Sequence, residues 1–442
     1  MDFKCLQCVR LFQKGTPLAL AITNSTVRAL CEYADWGVED EKGEAQGVVA
    51  SQVQTVLVDG EDDTLLRRIK LRGVNKRSLK HICATLSLCT WWLKRDVRPL
   101  EIHLDCRNAA VLTALVQRVR EFSDHLEECA VPHRIHLSLY GAPSVESVAV
   151  LSQHLEALLL EQCRVENLEG LKECRLLKRL SIGRCYHLRS FDGVSCLSNL
   201  EYLHVSDCYV KRLGEVRLCT SLQHLSLLHC MEMSSLAGVE GLPSLRTITV
   251  NRTSIDSLED IKDCDKLSSV DARYCNQLRA LPNANRLSTL HTLNVKGSAM
   301  SSLDDLGPSE SLRVLNAGDC TLLESLRGLF SCPFITTVCV SGSVRLRSLR
   351  EFSALEFLTS IDASDSRIET VGSLRGCTRL EKIDLSGCYY LRSLGRLRGS
   401  PVAPVCVCPT VHHHFTRGTE GLPFSSGGPR AQLSGAHHAR WT

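Results

Sequence analysis

The chain has 442 residues, 44% of them hydrophobic and 23% charged but only 5% aromatic, so leucine rather than ring packing must supply the core. That length exceeds one ordinary core and calls for several domains or for a repeat array that grows without limit. A formal net charge of +3, with no run of five like charges, excludes a broad electrostatic field for nucleic acid or anionic membrane.

In chain order, residues 1–52 read as an amino-terminal segment. Lys4, Arg10 and Lys14 stand among short apolar pieces without a signal-peptide core, and no stretch of the chain approaches 18 apolar residues. An intracellular, cytoplasmic protein without membrane insertion is therefore expected. Cys5-x-x-Cys8 is the one metal-like spacing here. The next candidates, Cys31, His81, Cys83 and Cys89, do not supply a second such pair, so no metal and no cofactor is expected.

Residues 53–154 carry a degenerate repeat. Leu66-x-x-Ile69-x-Leu71 and Val97-x-x-Leu100-x-Ile102 read as strands, with a third at Ile135 to Tyr140. A first helix would place Leu79, Ile82, Cys83, Leu86 and Leu93 on one face, and a second would place Leu112, Leu115, Val119, Phe122 and Leu126. A solenoid opening near residue 53 with helix-containing units is expected, with a separate small α/β domain as the alternative.

Residues 155–399 contain eleven regular units of the form L-x-x-L-x-L-x-x-C. They start at Leu155, Leu177, Leu200, Leu222, Leu245, Leu267, Leu290, Leu312, Ile335, Leu358 and Leu380, in steps of 22 or 23 residues. Strand alternation sends the fourth and sixth positions inward, as with Leu180 and Ile182. The ninth is Cys at 163, 185, 208, 230, 275, 320 and 388, and Thr253, Ser298, Ser343 or Ser366 elsewhere. Cys174, Cys219, Cys264, Cys332 and Cys377, three residues before the next unit, should pack as small hydrophobes. The next apolar anchor follows the ninth position by five residues (Cys163 to Leu168) or six (Cys185 to Phe191), so one turn absorbs the length difference.

These motifs resemble the leucine-rich-repeat family. That resemblance implies an α/β solenoid or horseshoe with a parallel β-sheet on the concave face, turns or 3-10 segments on the convex face, and a ninth position bonded to its neighbours' backbone. The short unit is similar to that of phosphatase-regulator and internalin proteins. The phrases Leu385 to Cys388 and Leu391 to Leu394 resemble kinetoplastid cysteine-type repeat proteins.

Residues 400–442 should be a disordered tail, with five of the chain's 13 prolines, the run His412 to His414, and no recognisable capping unit. Cys406-x-Cys408 and these histidines could take a metal adventitiously.

No phosphate-cradling loop, dinucleotide fingerprint, zinc-protease or nucleophile-elbow motif is present, and no Ser, His and Asp set is fixed by spacing. No catalytic residue is assigned and no enzyme activity is expected. Positions three, five, seven and eight of each unit should face outward from the concave sheet. There the middle units offer Tyr202, His204, Asp207, His224, His229, Arg252, Arg273 and Tyr274, a mixed aromatic and charged strip that suits a protein or peptide partner. With His187 beside it, the strip holds four histidines. Later units turn acidic at Asp362, Asp365 and Asp384, which would suit a basic peptide. The expected function is a non-catalytic protein-interaction scaffold, with a substrate-recognition component of a ubiquitin ligase as the alternative.

Overall fold

A computed structural model of the chain describes residues 67–71, 100–279, 281, 288–372 and 374–392. Its spine is one parallel sheet of 14 strands in strict chain order. The first seven are β1 (Arg67–Leu71), β2 (Leu100–Cys106), β3 (His133–Tyr140), β4 (Leu155–Glu161), β5 (Arg179–Gly183), β6 (Tyr202–Ser206) and β7 (His224–Leu228). Three-residue strands follow: β8 (Thr247–Thr249), β9 (Ser269–Asp271), β10 (Thr292–Asn294), β11 (Val314–Asn316), β12 (Thr337–Cys339), β13 (Ser360–Asp362) and β14 (Lys382–Asp384).

Each regular unit forms this way because its apolar residues are placed for one strand and one return turn. Leu155 and the ten later unit starts are all buried, and the fourth and sixth positions, such as Leu180 and Ile182, are buried beneath the sheet. The register sets Leu180 against Leu203 and Leu203 against Leu225, so the 22- and 23-residue steps carry identical positions into one column. The return path is built from short 3-10 turns such as Glu169–Leu171, Gly214–Leu218 and Arg327–Ser331. The added residue of a 23-residue unit falls before the first buried convex residue. In the shorter units this residue follows the ninth position by two (Cys163 to Val165), and in the longer ones by three (Cys185 to Leu188).

The ninth position ties neighbouring units together. Cys275 Sγ donates to the carbonyl of Val250 at 3.0 Å, Cys320 Sγ to that of Val295 at 3.2 Å and Cys388 Sγ to that of Ala363 at 3.0 Å. Ser298 and Ser366 repeat the bond with Oγ on Ala272 and Val340, at 3.2 and 2.9 Å. A buried carbonyl left between stacked turns would otherwise go unpaired, which is why a small side chain with a donor recurs. The second cysteine column, Cys174, Cys219, Cys264, Cys332 and Cys377, is buried as its spacing predicts.

Upstream, β1 to β2 and β2 to β3 are each 33 residues apart in register. In the second interval α1 (Leu112–Glu128) buries Leu112, Leu115, Val119, Phe122 and Leu126, the face its spacing predicts. The helix expected around Leu79 to Leu93 lies outside the described residues, as do Cys5, Cys8 and the tail from residue 400. Between β3 and β4 the register shifts: Ile135 pairs with Leu155 but His136 with Ala157, leaving Glu156 as an extra residue on β4. No helix among the described residues is long and apolar enough to cross a membrane.

Candidate functional site

The eight candidate residues separate into two lines. Tyr202, His204 and His224 occupy outward strand positions, and Arg273 lies two residues beyond the end of β9. Asp207, His229, Arg252 and Tyr274 occupy the eighth position of four successive units, in the turn that leaves the sheet.

That turn is left-handed. Gln162, Arg184, Asp207, His229, Arg252, Tyr274, Asp319 and Asp365 have φ between 51° and 58°, and Gly297, Gly342 and Gly387 fill the same position in the remaining units. The eighth position is therefore a constrained backbone site, where a side chain costs about 1–2 kcal/mol relative to the right-handed region. Sequence reading placed it only as one more outward-facing position. The recurrence of Gly and Asp there, residues that tolerate the left-handed region, was the available signal.

Register brings these side chains into contact between units. His229 Nδ1 stands 3.2 Å from Asp207 Oδ1, both exposed to solvent. The guanidinium of Arg252 lies over the ring of Tyr274, 5.4 Å from its centroid. Tyr202 is opposite His224, with ring centroids 6.2 Å apart, and stacks on His204 at 6.4 Å. His204 Nδ1 meets Ser226 Oγ at 3.0 Å, and His224 Nδ1 meets Thr247 Oγ1 at 2.7 Å. Burial pushes the His204 pKa below its ordinary value, so its ring is neutral at pH 7. Arg273 is turned back onto Asp271, with Nη2 to Oδ2 at 2.8 Å, which removes it from the exposed pair beside it.

The acidic later units are built differently from an open anionic surface. Asp362 Oδ1 accepts from Ser364 N and Oγ at 3.1 and 2.7 Å, and Asp384 Oδ1 from Ser386 N and Oγ at 3.0 and 2.6 Å. Asn294 and Asn316 make the same bond to the backbone two residues on. A side chain that captures this N–H forms a local turn in place of the next ladder step, and the strands ending on these residues are three residues long. Asp365 holds the left-handed position of its unit.

Along the sheet, cations are matched locally by carboxylates. Lys178 Nζ is 2.9 Å and Arg134 Nη1 3.3 Å from Glu156, Arg184 Nε is 2.9 Å from Glu161, and Lys296 Nζ is 3.2 Å from Asp319. No polyanion-binding stripe results from these pairs.

At the amino-terminal end lies a cluster that sequence reading missed. Glu101 and His103 on β2 and His136 on β3 place their ligand atoms within 4.8 Å of one another. Their sequence separation of 33 residues matches no metal-ligand motif, so only the strand pairing reveals them.

No protein-family model and no curated protein matches the chain. Among solved structures it resembles TLR13 in a complex with ssRNA13, with a TM-score of 0.60 and 17% identity over 77% of this chain. The match spans 51% of the TLR13 chain, about half its length. The internalin inlF of Listeria monocytogenes matches with a TM-score of 0.43 and 16% identity, over 64% of this chain and 93% of its own. A leucine-rich-repeat protein of Leptospira interrogans matches with a TM-score of 0.44 and 14% identity, over 76% of this chain and 89% of its own. At these identities the likeness concerns the fold.

Proposed function

We propose that this leucine-rich-repeat solenoid is a non-catalytic interaction scaffold that binds a partner protein or peptide through its concave sheet. The observation that carries the reading is the run Asp207, His229, Arg252 and Tyr274 at the left-handed position of four consecutive units. Glycine fills that position at 297, 342 and 387 and avoids a cost of about 1–2 kcal/mol. His229, Arg252 and Tyr274, kept there against that cost, exposed and joined as an ion pair with Asp207 and a cation–π stack, favour contact with a partner over a role in folding.

A protein surface fits better than a nucleic acid because Lys178, Arg184, Arg273 and Lys296 of this face are already matched by neighbouring carboxylates, and Arg252 lies over the ring of Tyr274. The ubiquitin-ligase alternative rests on the amino-terminal region, almost all of it outside the described residues, and the repeats add nothing to it.

The test is affinity capture with the full chain against a variant carrying Tyr202→Ala, His229→Ala, Arg252→Ala and Tyr274→Ala, with circular dichroism confirming the fold of both. Loss of a specific protein partner from the folded variant supports the reading. Equal capture by both rejects this face, and saturable binding of single-stranded RNA at physiological salt would replace the protein partner with a nucleic acid.

A further inference from the structure

We propose that Glu101, His103 and His136 form a binding site for a divalent transition metal of the zinc class, at the amino-terminal end of the concave face. The site is independent of the partner-binding reading.

Two neighbouring strands present the three side chains on one face. His103 on β2 lies directly opposite His136 on β3, and Glu101 stands two residues before His103 on the same side of the pleat. The two imidazoles meet edge to face with centroids 4.4 Å apart, and His103 Nε2 is 3.1 Å from Glu101 Oε2. All three ligand atoms fall within 4.8 Å. A zinc ion holds nitrogen and oxygen ligands at about 2.0–2.2 Å, which sets those atoms about 3.3 Å apart, so side-chain rotations of roughly 1 Å close the site. The backbone need not move, because β2 and β3 are paired along seven consecutive positions.

The donor set selects the metal class. Two imidazoles and one carboxylate suit zinc and its late first-row neighbours, whereas calcium and magnesium prefer oxygen alone. Glu156, the extra residue of the β3–β4 bulge, stands 3.9 Å from His136 Nε2. It is held by Arg134 and Lys178, so it serves as an outer carboxylate rather than a fourth ligand. Three protein ligands leave one tetrahedral position open towards the concave face, where water or a donor from a bound molecule completes the shell.

The experiment must silence the other soft ligands of the chain. In full-length protein carrying Cys5→Ser, Cys8→Ser, Cys406→Ser and Cys408→Ser together with His412→Ala, His413→Ala and His414→Ala, calorimetric titration with zinc should show one equivalent bound. Glu101→Gln, which preserves volume, should weaken it by more than the roughly 10–100-fold typical of losing an outer partner, and His103→Gln with His136→Gln should abolish it. Absence of binding in the serine background, or undiminished binding in the histidine variant, overturns the site. If the histidine variant does not fold, protection in the unmutated chain decides. Zinc should shield His103 and His136, but not the exposed His229, from diethylpyrocarbonate, and equal modification with and without zinc rejects the proposal.

Discussion

The ring of Tyr274 occupies the space that a side chain on residue 297 would need: a Cβ there would lie 2.4 Å from Tyr274 Cδ1. Both residues hold the left-handed position of adjacent units, with φ of 58° and 68°. Gly297 is thus the floor on which the Arg252–Tyr274 stack rests.

Gly297→Ala should cost about 1–2 kcal/mol from its backbone conformation, plus the displacement of the ring. Combining it with Tyr274→Ala should remove only the second part. Urea unfolding of the two single variants and the double variant measures the coupling, and strictly additive losses would show that the ring does not rest on residue 297.

Glycines of the return turns should separate by what surrounds them. A Cβ at Gly328 would meet the carbonyl oxygen of Leu303 at 1.6 Å, a backbone contact that cannot rotate away, whereas nothing lies within 4 Å of one at Gly241. Gly241→Ala should lose only the left-handed preference, about 1 kcal/mol. Gly328→Ala should lose about 3 kcal/mol or more, because two stacked units must separate. Comparable unfolding midpoints for the two variants would contradict this spacing.

Cysteine reactivity should follow burial. Desolvation raises the thiol pKa of Cys174, Cys230, Cys320, Cys332 and Cys377 to about 11, and of Cys208 and Cys219 to about 12, so almost no thiolate exists at pH 8. Among the described residues Cys196 is exposed and Cys129 and Cys339 half-buried. Brief iodoacetamide treatment followed by peptide mass mapping should label Cys196 first among the described cysteines and leave the seven buried thiols named above unmodified until urea is added. Early labelling of Cys230 would refute the stacked arrangement.

Acid should weaken the fold in part through His204. Burial lowers its folded pKa below the ordinary 6.5, so the unfolded chain takes up the proton first as pH falls. The stability from the neutral ring is complete above about pH 6.5 and is lost as pH drops through the folded value. One full proton corresponds to about 1.4 kcal/mol per pH unit, and the half-exposed ring should give a fraction of that. Thermal unfolding between pH 8 and pH 5 should show a shallower decline for His204→Gln. A parallel decline would assign the acid sensitivity to other groups, such as His133, which burial also lowers and which stacks on His154.

The phase of the regular units was fully legible in the sequence, down to Thr253, Ser298, Ser343 and Ser366 as stand-ins for the ninth-position cysteine. Burial there recurs with a fixed period, and each unit repeats the same local instruction, but the bonding does not: Ser298 and Ser366 reach the preceding unit, Thr253 bonds Val250 of its own unit, and Ser343 Oγ is buried without a partner. The buried face of α1 followed from its own helical spacing, whereas the convex 3-10 turns were what the resemblance to leucine-rich repeats implied. The turn role of the acidic later units was not legible because composition cannot tell a solvated carboxylate from one that accepts the backbone N–H two residues on, as Asp362 does from Ser364 and Asp384 from Ser386.

What the sequence determined by itself was therefore the repeat, its core and the residues that point away from the core, since these depend on positions within one unit. Only the tertiary structure decided which outward residues meet: Arg252 on Tyr274, His229 beside Asp207, and Glu101 and His103 with His136. Those contacts depend on how units of 33, 22 and 23 residues come into register, and on the left-handed turn that lifts the eighth position out of the strand. Both are set by strand pairing across units rather than by spacing within one.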